Sequence, residues 1–60
     1  MRAFVVTFYA LDEKNNPREI VQAAGIGECH GAAVESARSE LRKDYPEIDT
    51  YQWTAMGYLL

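Results

Sequence analysis

Sixty residues, 48% of them hydrophobic, carry six basic and nine acidic side chains and a formal net charge of −3. That length excludes a second domain, and the acidic balance excludes the broad basic face of a nucleic-acid binder. One cysteine, Cys29, excludes an intrachain disulfide, and Cys29 with the single histidine, His30, is too small a donor set for a structural zinc site.

A chain this short buries roughly 60% of the surface its unfolded form exposes. Small scaffolds commonly rely on disulfides, metals or self-association, and here close packing and self-association remain. A lone cysteine with no pairing pattern fits a reducing, cytoplasmic setting. Met1-Arg2-Ala3-Phe4 runs straight into a strand-like segment with no leader pattern, so the chain reads as a complete, very small gene product. No apolar run approaches a membrane span.

The first element is a strand over residues 4–11, rich in β-branched and aromatic side chains. Phe4, Val6 and Phe8 share one face, and Val5, Thr7 and Tyr9 share the other. Apolar residues on both faces place this strand in the centre of a sheet. Asp12-Glu13-Lys14-Asn15-Asn16-Pro17 is a loop. Residues 18–28 fit two templates. Asn16 as N-cap, Pro17 in the first turn, Glu19 closing a capping box and Gly25 as a stop would give a short helix. The β-branched pair Ile20-Val21 and the small residues after Ala23 favour a second strand, joined to the first as a long-loop hairpin.

Residues 31–45 read as the helix. Val34, Ala37, Leu41 and Tyr45 form one apolar stripe. Glu35 with Arg38 and Glu40 with Lys43 are favourable three-residue pairs. Arg42 and Lys43 suit the last turn, and Pro46 stops the helix. Gly31, Ala32, Ala33 and Ala37 allow close approach to a sheet. Residues 48–59 read as the third strand, with Tyr51, Trp53 and Ala55 inward, Thr50, Gln52 and Thr54 outward, and a bulge or kink at Gly57.

Strand, strand, helix, strand assembles as a single α+β domain of ββαβ order. The expected sheet is three-stranded and antiparallel, ordered 2-1-3, with the helix on one face. The other face, carrying Val5, Thr7, Tyr9, Thr50, Gln52 and Thr54, is open.

No catalytic constellation stands out. Cys29 at a helix start could be an activated thiolate with His30 beside it, but adjacent residues lack the needed geometry and no third group orients them. The plainer reading is a small buried cysteine with His30 helping to cap the helix. Gly25-Ile26-Gly27-Glu28-Cys29-His30-Gly31 has the wrong spacing for a phosphate loop and reads as a turn of permissive glycines. Asp44, Glu47 and Asp49, joined by Asp12 and Glu13 from the hairpin loop, form a candidate acidic patch for a partner's basic groove. The aromatic pairs Phe4, Phe8, Tyr51 and Trp53 are core. Tyr9, Met56, Tyr58, Leu59 and Leu60 are surplus to it and are candidate contact residues.

The strand ending in Ala23-Ala24-Gly25, the helix pattern Ala33-x-x-x-Ala37-x-x-x-Leu41, the Tyr45-Pro46 stop and the final strand together resemble small phage-encoded ββαβ inhibitor proteins. These are of the anti-CRISPR or host RNA-polymerase inhibitor type. The resemblance covers residues 18–56 at the level of pattern and transfers no functional residue. It implies a protein of the host cytosol that occludes a surface of a larger nucleic-acid-handling complex, without binding nucleic acid or membrane itself. The expected function is therefore a non-enzymatic, cofactor-free, protein-binding inhibitor. The alternative is a small structural or assembly protein acting as a homodimer, and the remote alternative is a Cys29-dependent enzyme.

Overall fold

The alternation in the first strand decides the architecture. The computed structural model describes residues 2–58. It orders β1 (Arg2–Leu11), β2 (Pro17–Gly27), α1 (His30–Leu41), a single 3-10 turn (Ile48–Thr50) and β3 (Gln52–Tyr58). β1 lies between β2 and β3 and is antiparallel to both. Residues 18–27 are therefore strand, and the doubly apolar strand is central. Helix α1 covers one face only, so Phe4, Val6 and Phe8 are fully buried beneath it with Ala33, Val34 and Ala37.

Side-chain size along β2 sets how closely the helix approaches. Val21, Ala23, Gly25 and Gly27 pair with Phe8, Val6, Phe4 and Arg2, so they lie on the helix-facing side and shrink toward the start of α1. A Cβ on Gly25 would collide with the Ala33 carbonyl, and one on Gly27 would lie 2.7 Å from the Ala32 Cβ. The first turn of α1 thus rests on the bare backbone of β2. These glycines were expected in a permissive turn, yet they are strand residues. No described glycine has a positive φ, and the one described non-glycine that does is Asn15, φ 62°, in the hairpin loop. Gly31, expected at the packing face, is exposed and has nothing near its missing side chain.

Several boundaries differ from expectation. The helix ends at Leu41, and the C-cap Arg42 N–H donates to the Arg38 carbonyl. The chain then leaves in a turn in which the Tyr45 N–H donates to Leu41 O at 2.9 Å, which keeps Tyr45 packed on the core. The third strand begins at Gln52, because Ile48 turns inward as a fully buried plug. Thr50, expected on the open face, lies in that turn, with its hydroxyl donating to Glu47 O at 2.6 Å. Gly57 pairs with Phe4 in unbroken register, so the expected bulge is absent there. The irregularity falls between Phe8 and Tyr9, which pair with Val21 and Glu19 and leave Ile20 as the extra residue. Leu59 lies outside the described residues.

Cys29, expected to be buried, is exposed. It occupies the N-cap position with extended backbone and makes no side-chain cap. His30 does not cap the helix with a described side-chain bond; its ring packs on Phe4 with centroids 4.8 Å apart.

Candidate contact surface

One sheet face has no helix over it. The strand register composes it row by row. Ile26 lies beside Ala3, then Ala24 and Met56 flank Val5, then Gln22 and Thr54 flank Thr7, and then Glu19 and Gln52 flank Tyr9. The first rows are apolar: Ile26 is 54% exposed and Met56 73%. The middle is polar and ordered, with Gln22 Nε2 donating to Thr7 Oγ1 at 2.9 Å. Beyond it a shallow depression lies between Tyr9, Leu11, Glu19 and Gln52. This gradient follows from the alternating positions of β1 and β2, which leave one set of side chains without a second layer.

The acidic candidates gather past the polar end of this face. β1 ends there, α1 ends there and β3 begins there, so Asp12, Glu13, Asp44, Glu47 and Asp49 share one end of the domain. They are not equivalent. The Asp12 carboxylate organises the hairpin loop, accepting from the Lys14 N–H at 2.8 Å, the Asn16 N–H at 2.9 Å and Arg18 Nε at 3.3 Å. These bonds, the Asn16 amide first, hold its pKa below the ordinary carboxylate value. Asp49 accepts from Arg42 Nη2 at 2.9 Å and lies 3.7 Å from Arg38 Nε. The hydrogen bond from Arg42 lowers the Asp49 pKa and raises that of Arg42. Two of the five carboxylates are thus already satisfied by the fold. Glu13, Asp44 and Glu47 are exposed, with no ion pair among the described residues.

Tyr9 lies half-buried on the uncovered face, and Met56 lies on it as its most exposed large apolar side chain. The backbone of Tyr58 closes β3 opposite Ala3; its side chain and Leu60 lie outside the described residues. Trp53 is on the helix-facing side opposite Phe8 but remains 38% exposed, because α1 leans over β2 and leaves the β3 margin thinly covered. Ile26 was missed as a contact residue. The alternation Gln22, Ala24, Ile26 carries the signal, masked by the glycines on either side. Cys29 and His30 sit at the opposite end from the carboxylates. Among the described residues no group of three or more His, Cys, Asp or Glu is placed to hold a metal ion, and no helix is long and apolar enough to cross a membrane. The arrangement offers an apolar patch, a polar strip and a carboxylate end in sequence. Comparison with protein-family models, with curated proteins and with solved structures finds no match.

Proposed function

We propose that this domain is a non-enzymatic binding protein that inhibits a larger partner by covering a basic surface on it. The observation that carries this reading is the uncovered sheet face, where Val5, Ile26 and Met56 form an apolar end and exposed carboxylates lie past the other. The domain is a slab of 37 × 22 × 14 Å. The apolar rows would anchor, and Glu13, Asp44 and Glu47 would steer the domain toward Lys and Arg side chains. The partner class is a protein, or a protein–nucleic-acid complex, with a basic surface beside an apolar socket.

The test is binding to an isolated partner by wild-type protein and by Ile26→Lys, at low and high salt. Ile26→Lys should weaken binding by about tenfold or more, and added salt should weaken it further. An affinity indifferent to both the substitution and the salt would remove this reading.

A further inference from the structure

The two edges of the sheet are guarded very differently. Edge strands expose unpaired backbone groups, and proteins blunt them with proline, charge, bulges or a covering element. β2 uses all four: Pro17, the charged pair Arg18-Glu19, the extra residue Ile20, and Ser36 of α1, whose Oγ accepts from the Ile26 N–H at 3.4 Å. Among the described residues β3 uses none of them. Its seven residues, Gln52–Tyr58, contain no charge and no proline and keep unbroken register with β1. Among the described residues no strand pairs with its outer side.

We propose that the outer edge of β3 pairs antiparallel with β3 of a second copy of this chain, joining two sheets into one of six strands. The self-complementarity of the strand chooses this occupant. A two-fold axis at Ala55 sets Ala55 opposite Ala55, Thr54 opposite Met56 and Trp53 opposite Gly57 of the second copy. The half-exposed indole then lies over a residue with no side chain, the arrangement by which an aromatic covers an exposed glycine in a sheet. Gly57 is open on that side, since a Cβ there would meet only the Phe4 ring, at 3.4 Å. The pairing would make about six to eight backbone hydrogen bonds. Charge favours the antiparallel sense. It separates the two carboxylate ends by about 20 Å, the length of β3, and brings the Arg2 end of each copy toward the Asp49 end of the other.

The test is sedimentation across a wide concentration range with a charge-exchange pair. Thr54 and Met56 are both exposed, so substituting them should leave the monomer fold intact by circular dichroism. The wild type should dimerise, with Trp53 emission shifting to shorter wavelength as it does. T54K/M56K and T54E/M56E should each raise the dimer dissociation constant by about tenfold or more, because like charges would face each other. An equimolar mixture of the two should dimerise again. Gln22→Lys, on the same face but on β2, should leave the dimer intact. Hydrogen exchange of the wild type should show outward-facing β3 amides becoming protected as concentration rises. A wild type that stays monomeric throughout, a dimer that survives T54K/M56K, or a dimer broken by Gln22→Lys would overturn the proposal.

Discussion

The carbonyl group of Ala33 lies against the Cα of Gly25, in the space that any side chain at position 25 would need. Helix and sheet meet backbone to backbone at this point. The obstructing atom belongs to a helical main chain and cannot swing aside. Gly25→Ala should therefore cost roughly 2–3 kcal/mol, the upper part of the range for overpacking. Gly31→Ala is the matched control, because residue 31 is helical and nothing lies near its missing Cβ. It should stabilise by about 0.5–1 kcal/mol through helix propensity. Chemical denaturation of both variants checks the pair, and equal effects would contradict the close contact.

Ile48 gives a second stability prediction. It was expected to open the third strand, yet it lies in the turn that leads into β3 and is fully buried there. Ile48→Ala should cost about 2–5 kcal/mol. A core of this size rarely supplies more than about 3–5 kcal/mol in total. The variant should therefore be largely unfolded at room temperature, as circular dichroism would show.

The helix start offers an improvement. Cys29 holds the N-cap position at φ −147° and ψ 173°, yet its side chain forms no cap. Serine in that geometry can accept an N–H of the first turn, so Cys29→Ser should stabilise by roughly 0.5–1 kcal/mol. Thermal melting would read this as a rise of roughly 4–8 °C per kcal/mol. The same substitution removes the thiol, so an unchanged biological effect would also dispose of a Cys29-dependent enzyme.

Acid should weaken the domain through two named carboxylates. Asp12 and Asp49 have folded pKa values below the ordinary 3.8, from the Asn16 amide and from Arg42 respectively. A depressed folded value means that the unfolded chain takes up protons first. The stability these groups contribute is present above 3.8 and is lost as pH falls through 3.8 toward their folded values. Denaturation midpoints measured across that window should fall, and D12N/D49N should flatten the dependence. An unchanged slope in the double variant would show that other groups dominate.

Much of the fold was legible because it rests on alternation. Phe4, Val6 and Phe8 against Val5, Thr7 and Tyr9 fixed a central strand, and a central first strand with a helical crossover leaves the order β2-β1-β3. Ile20-Val21 outweighed the capping-box pattern at Asn16, Pro17 and Glu19, because the register with β1 pairs Pro17, Arg18, Glu19 and Val21, with Ile20 the extra residue. What escaped the sequence depends on which atoms touch. Gly25 and Gly27 look like turn residues until Ala32 and Ala33 are seen lying on them. Gly57 looks like a kink until its Phe4 partner is known. The candidate surface was half legible. The gathering of five carboxylates follows from topology. That Arg42 and Arg38 engage Asp49 while Glu47 stays exposed depends on the turn at Ile48, which periodicity does not report.

The most direct measurement of the central claim, that the uncovered sheet face is the working surface, is site-specific photo-crosslinking in a lysate. A photoreactive residue placed at Ile26 is compared with one placed at Ser39, an exposed position on α1. The account predicts a discrete covalent adduct with a larger protein from position 26 and none from position 39. An adduct formed from position 39 and absent from position 26 would contradict it.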